Sequence, residues 1–232
     1  MLTIENQGAR SVADGYRRGW GLRHADLGAQ IQSDALFQAA QTAAGGLSLL
    51  SPERQMNLYM IIREGLPALD SQNIIEFGSY KGGNALFMAA LLQTIAPEAK
   101  VYALDTFAGM PATDRDLDMH GAGDFADASI DALRDRAAML GLTNLVPVQG
   151  LFEETFPQID AHFGLAHVDC DIISGVRYAQ SAVWPRMAAG GYVAFDDSNT
   201  PSCLGATQAV EEMIIERRIL SEQAWPHHVF RA

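Results

Sequence analysis

Apolar residues in this chain gather into short runs, four of which stop at a glycine or an aspartate, with helical stretches between them. Asn73–Phe77 stops at Gly78, Val101–Leu104 at Asp105, Leu165–Val168 at Asp169 and Tyr192–Phe195 at Asp196-Asp197. Leu145–Val148 is a further run, and His227–Arg231 suits an edge strand. Helices are predicted over Gly83–Ile95, 126–140, Gly175–Ala188 and Leu204–Arg218, with an irregular acidic stretch at 106–125. Short buried strands alternating with helices predict an α/β fold, a doubly wound, mostly parallel sheet covered on both faces.

The first 50 residues are more weakly patterned. They hold an arm containing Tyr16-Arg17-Arg18-Gly19-Trp20 and an Ala/Gln-rich helix over Asp34–Ala44 that ends at Gly45-Gly46. Ser51-Pro52 then reads as an N-cap with proline at the first helical position, opening a helix to about Arg63. The division expected is an N-terminal extension over 1–50, acting as a lid, a subunit contact or a packed arm, and a catalytic domain over 51–232.

Composition narrows the choice. At 232 residues, 48% apolar and 19% charged, the chain can fill a core without disulfide or metal staples and is not a disordered sequence. Its formal net charge of −12 argues against a nucleic-acid partner, whose binding rests on clustered Lys and Arg. Cys170 and Cys203 allow at most one disulfide and no zinc framework. Met1 to Arg10 lacks an apolar signal core, and the longest uncharged stretch, Ala35 to Pro52, is too polar to span a membrane. A cytoplasmic protein with no membrane partner is the expectation.

The strand ends carry the chemistry. In doubly wound sheets ligands sit outside the carboxyl ends of the strands, and buried carboxylates there are costly unless a ligand or metal uses them. Glu76-Phe77-Gly78-Ser79-Tyr80-Lys81-Gly82-Gly83 opens a helix, presenting backbone N–H groups to a ligand that the glycines let come close. It is not the dinucleotide fingerprint, since Tyr80 stands where the second glycine belongs. Asp105, at the end of the next strand, is placed to accept hydrogen bonds from ribose hydroxyls, so a nucleoside cofactor is expected. Asp169 and Asp171 with Asp196 and Asp197 bring several carboxylates to neighbouring strand ends, where like charges need a cation. An all-oxygen set selects a hard ion, Mg²⁺ first. Cys170, read as a strand residue pointing away from its acidic neighbours, is expected to be a small buried side chain. A nucleoside site beside a magnesium site suits methyl transfer to oxygen, in which the metal acidifies and orients the acceptor hydroxyl and a base takes its proton.

Glu76-Phe77-Gly78 through Gly82-Gly83, Leu104-Asp105-Thr106-Phe107-Ala108-Gly109-Met110-Pro111, Gly150-Leu151-Phe152 before Thr155-Phe156-Pro157, Val168-Asp169-Cys170-Asp171 and Gly190-Gly191-Tyr192 running into Asp196-Asp197 make a combined pattern. It covers about Ile74 to Met213 and resembles the macrocin O-methyltransferase family, metal-dependent sugar O-methyltransferases. The resemblance implies a class I methyltransferase (Rossmann-like) fold with S-adenosylmethionine as donor. It implies Mg²⁺ held by Asp169, Asp196 and Asp197, and Asp171 as the catalytic base. Cofactor contacts fall to Glu76, Gly78, Ser79, Tyr80, Gly82, Asp105, Thr106, Phe107 and Asp169, with Gly150, Leu151 and Phe152 along the adenine. A small hydroxylated, glycosylated acceptor and a homo-oligomer are implied too. The sequence departs from the family at Ile173-Ser174-Gly175-Val176, where Tyr-Glu-Ser-Thr is usual, and at Thr207, where an arginine is expected; both lie toward the acceptor.

Other candidates are assigned quieter roles. His120 reads as a solvated loop histidine, His167 as a satisfied core residue, and Met56 and Met60 as one helix face. His227-His228, near the C-terminus, have closure over the site as an alternative reading and are not counted among its residues. The alternative enzyme class is a magnesium phosphohydrolase of haloacid dehalogenase type, with Asp169 as nucleophile and Asp171 as acid. A nicotinamide oxidoreductase would leave the aspartate cluster unexplained, and a non-catalytic subunit would leave every acidic strand end without a task.

Overall fold

The strands β1 (Ile74–Phe77), β2 (Val101–Asp105), β3 (Leu145–Gln149), β4 (Phe163–Val168), β5 (Met187–Phe195) and β6 (His228–Arg231) form one sheet in the order β3-β2-β1-β4-β5-β6. The first five run parallel, and β6 closes the edge antiparallel to β5. This computed structural model describes residue 19, residues 21–23 and residues 26–232; Tyr16, Arg17, Arg18 and Trp20 lie outside the described residues. Helices from residue 26 onward are α1 (Asp26–Gln32), α2 (Ala35–Ala44), α3 (Pro52–Met60), α4 (Gly83–Ile95), α5 (Ile130–Met139), the single turn α6 (Phe152–Thr155), α7 (Ile173–Val183) and α8 (Leu204–Arg217). None is long and apolar enough to cross a membrane.

Alternation along the strands builds two cores. Ile74, Val101, Ala103, Leu165 and Ala194 face a layer made by α2 to α5, while Ile75, Leu104, Ala166, Val193 and Phe195 face α7 and α8. Side chains of one strand point alternately to opposite faces, so strands buried on both faces are mostly apolar, Glu76 in β1 and His167 in β4 being buried polar exceptions. Helix α4 has no charged residue and lies in the first core, where Phe87 meets Phe37 of α2 edge to face at 5.7 Å. Residues 35–44 thus belong to the same core as the sheet.

The helix boundaries follow from capping. Asp34 accepts from the Leu36 amide at 2.8 Å to start α2, and Ser51 accepts from the Arg54 amide at 3.3 Å with Pro52 at the first position of α3. Ser129 caps α5, which begins at Ile130 and not at 126. The helix expected over Gly175–Ala188 begins at Ile173 and ends at Val183; Pro185 lacks an amide proton, and a short 3₁₀ turn over Trp184–Arg186 leads into β5. β5 starts at Met187, five residues before the expected Tyr192, because its first half runs through Gly190-Gly191 and the register against β4 shifts there. α3 ends at Met60 and continues as a π turn over Ile61–Gly65.

Candidate active site

A cavity of about 250 Å³ opens at the carboxyl ends of β1, β2, β4 and β5. Two glycines make its floor. A Cβ at Gly78 would lie 1.8 Å from the Asp169 carbonyl oxygen, so only glycine lets β1 turn beside the end of β4. A Cβ at Gly83 would lie 2.1 Å from the Ser48 amide, so glycine there admits the 47–50 segment, which becomes a wall of the cavity.

On one side stands Asp105. Its carboxylate accepts the amides of Tyr80 at 2.8 Å and Phe107 at 2.7 Å, drawing the two loops together. Burial pushes its pKa up, against the pull of those amides. Glu76, buried at the end of β1, accepts from Asn84 Nδ2 at 2.6 Å through Oε1, which also lies 3.1 Å from His167 Nδ1; its Oε2 has no protein partner. Ser79, Tyr80, Thr106, Leu151 and Phe152 line the cavity with them. Gly82, Phe107 and Gly150 are not among the lining residues. Gly82 is the left-handed cap of α4, the Phe107 ring is in the core, and the Gly150 amide donates to the Asp105 carbonyl at 3.0 Å, so these three shape the site from behind.

On the other side Asp169, Asp196 and Asp197 each bring one oxygen within 4.8 Å of the others. Burial and then the neighbouring carboxylates hold Asp169 and Asp197 well above the usual carboxylate range. Asp196 goes the other way. Burial opposes its charge, but His167 and His227 outweigh that and hold it below the ordinary value. Asp171 has left-handed backbone (φ 59), and its amide donates to Asp197 Oδ2 at 2.9 Å. Burial raises its carboxyl, against the pull of His120.

Four groups near these carboxylates were not assigned there by sequence. Arg54 of α3 pairs with Asp196 Oδ2 and donates to the Asp196 carbonyl at 2.8 Å, to Asn199 Oδ1 at 3.1 Å and to Thr200 Oγ1 at 2.8 Å. His227 does not close over the cavity; it is fully buried, and its Nε2 lies 2.9 Å from Asp196 Oδ1. Burial pushes it down to about 4. His120 is not simply solvated, since Nε2 lies 3.6 Å from Asp171 Oδ1. His167 is a core residue, as read, yet only half satisfied. Its Nε2 has no hydrogen-bond partner and lies 3.8 Å from Asp196 Oδ1. Burial disfavours its proton, but the carboxylates of Asp196 and Glu76 raise it to about 9. Cys170 is buried as expected, although it lies past the end of β4 in the turn and not in the strand. Arg54 and His227 carry no local signal, because both reach Asp196 only through the tertiary fold.

Residues 34–222 match the family model described as macrocin O-methyltransferase. The chain is 26% identical over 157 residues to the 8-demethyl-8-(2,3-dimethoxy-alpha-L-rhamnosyl)-tetracenomycin-C 4'-O-methyltransferase of Streptomyces olivaceus, covering 63% of this chain and 59% of that protein. It is 22% identical over 155 residues to the mycinamicin III 3''-O-methyltransferase of Micromonospora griseorubida, covering 61% and 59%. The matches thus span about three-fifths of each relative's length. Among solved structures, the O-methyltransferase NovP superposes with a TM-score of 0.70 at 15% identity, over 89% of this chain and 99% of that one. The fold is that of the class I methyltransferases. A phosphohydrolase built on Asp169 finds no support in these matches and leaves the Gly78–Asp105 half of the cavity idle. The chain belongs to the macrocin O-methyltransferase family.

Proposed function

We propose that this protein is an S-adenosylmethionine-dependent O-methyltransferase that methylates a hydroxyl of a small glycosylated metabolite with the help of Mg²⁺. The observation that carries the reading is the pairing, in one cavity, of an acidic residue at the end of β2 with three converging carboxylates at the ends of β4 and β5. Two sugar O-methyltransferases among the relatives support the acceptor class.

The residues fit both groups. Glu76 Oε2, buried and without a protein partner, and the Asp105 carboxylate suit the polar parts of a nucleoside sulfonium. Gly78, Ser79, Tyr80 and Thr106 would flank it, with Leu151 and Phe152 along the adenine. Asp169, Asp196 and Asp197 offer only oxygens and carry mutual repulsion that a hard divalent cation relieves. When bound, Mg²⁺ lowers the pKa of an acceptor hydroxyl and orients it, and the sulfonium supplies an already activated methyl group.

The chain's own groups do the rest. Asp171 takes the acceptor's proton on its carboxylate, and its raised pKa moves it toward the range a general base needs. The amide-to-Asp197 hydrogen bond fixes where that base sits. Leu47, Leu49, Leu50 and Phe125 wall the cavity and limit water there. The methyltransferase unit is assigned to 51–232, with the preceding segment supplying wall and core. A cytoplasmic homo-oligomer with no nucleic-acid partner completes the proposal, the last point supported by the net charge of −12.

The test is transfer of a labelled methyl group from S-adenosylmethionine to a panel of glycosylated small molecules, with Mg²⁺ or with a chelator. Label is expected in a methyl ether only with metal, and not with Asp196→Asn. Equal transfer in chelator would overturn the metal role.

A further inference from the structure

The hydrogen-bonding partners of His227 can be deduced one atom at a time, starting from a group that has no ambiguity. The backbone carbonyl of Trp225 only accepts, so the Gln223 side-chain atom 2.9 Å from it is the amide nitrogen. That nitrogen also lies 2.7 Å from an Asn57 side-chain atom, which must then be the oxygen. Asn57 therefore turns its own nitrogen toward His227 Nδ1, 3.0 Å away, and Nδ1 is an acceptor. The ring proton is left on Nε2, which donates to Asp196 Oδ1 at 2.9 Å. Gln223, Asn57, His227 and Asp196 are 1%, 2%, 0% and 3% exposed, so bulk water does not substitute for a lost partner. Reversing the Gln223 amide would set its oxygen against the Trp225 carbonyl, acceptor against acceptor, and reversing that of Asn57 would set its nitrogen against Gln223 Nε2, donor against donor.

From this we infer that His227 is a positioning residue for Asp196: neutral, protonated on Nε2, and locked in that tautomer by a chain anchored on the Trp225 carbonyl. With Oδ1 tied to His227 and Oδ2 to Arg54, the Asp196 carboxylate cannot rotate. One donor atom each of His167, Asp196 and His227 lies within 4.8 Å of the others, but a protonated Nε2 excludes His227 as a metal ligand and makes it the group that aims one. Gln223, Trp225 and His227 all lie beyond residues 34–222 that match the family model, so this support comes from outside the shared region. The inference rests on the reading of Asp169, Asp196 and Asp197 as metal ligands.

Two measurements on the full chain test it. Long-range ¹H–¹⁵N spectra of histidine-labelled wild type at neutral pH are expected to show His227 as the neutral Nε2–H tautomer, and a mixture of tautomers in Asn57→Leu. An Nδ1–H tautomer or an imidazolium in the wild type overturns the chain. Mn²⁺ affinity, read by electron paramagnetic resonance, is expected to weaken about 10–100-fold in His227→Phe and to recover in large part in His227→Gln, whose amide can still donate. S-adenosylmethionine affinity should stay near wild type in both. Equal Mn²⁺ affinity in wild type and His227→Phe overturns the positioning role alone. No Mn²⁺ binding by the wild type overturns the metal reading, and this role with it. Should His227→Phe fail to fold, the wild-type tautomer and the Mn²⁺ affinity of Asn57→Leu, expected to fall less than that of His227→Phe, decide the matter.

Discussion

Arg54 and Asp196, 142 residues apart in the chain, are joined twice, the guanidinium reaching both the carboxylate and the backbone carbonyl of the same residue. Two more donations, to Asn199 and Thr200, clamp the first turn of α3 to the turn that follows β5. A helix outside the β-α alternation thereby holds a strand-end carboxylate in place.

Arg54→Ala removes that clamp. Because the Arg54 side chain is 20% exposed and that of Asp196 4%, the loss is expected to be about 1.5–3 kcal/mol in metal-free protein, the range for hydrogen bonds to charged groups. Because Arg54 also holds Asp196 in place for the metal, the variant is expected to bind Mg²⁺ more weakly, and by linkage its deficit should grow when Mg²⁺ is added. Urea unfolding with and without Mg²⁺ reads both numbers, and a deficit that shrinks with metal would contradict the positioning of Asp196 by Arg54.

Asp105→Ala should weaken S-adenosylmethionine binding by about 10–100-fold, since a lost charge-assisted hydrogen bond corresponds to that range. The variant also frees the Tyr80 and Phe107 amides, so a modest fall in melting temperature should accompany it. Calorimetric titration separates the two effects. Unchanged affinity would remove the ribose role from Asp105.

Metal-free protein should lose stability as pH rises from about 6.5 to about 9. His167 keeps its proton to about 9 when folded, against about 6.5 for an unperturbed histidine, and Asp169 and Asp197 also hold protons longer folded than unfolded. Groups raised in this way stabilise fully below the unfolded value, and that contribution is lost as pH climbs through the folded one. His227, lowered to about 4, acts with the opposite sign but only below about 6.5, so it leaves this window clean. Mg²⁺ displaces the protons and should flatten the slope. Melting temperatures in chelator that rise with pH across this window would contradict the assignment.

Phe37→Ala tests whether the segment before residue 51 is part of the core. Phe37 is fully buried and packs edge to face on Tyr59 at 5.4 Å and Phe87 at 5.7 Å. A loss of about 3–5 kcal/mol is expected on denaturant unfolding. A loss below about 1 kcal/mol would mean that α2 is an appendage.

What could be read in the sequence follows the range of the interactions involved. β1, β2 and β4 are apolar runs halted at Gly78, Asp105 and Asp169, and α4 is an unbroken uncharged stretch, so their places were visible residue by residue. Glycines blur the pattern where β5 begins, since Gly190-Gly191 breaks the apolar run although the strand continues through it. Asp105 and the three aspartates announced themselves as carboxylates at buried strand ends. Their partners did not. Arg54, Asn57 and His227 reach the site across separations of 142, 170 and 31 residues, and in the sequence each is an ordinary helix or tail residue. His120 resembles any loop histidine until the fold sets it beside Asp171.

The central claim is that one cavity takes a nucleoside sulfonium on the Asp105 side and a divalent cation on the Asp169 side. Calorimetric titration of S-adenosylmethionine into the protein, once with Mg²⁺ and once with a chelator, addresses it most directly. The account predicts micromolar binding under both conditions, with an added Mg²⁺ heat that disappears in Asp196→Asn. No binding of S-adenosylmethionine under either condition would contradict it.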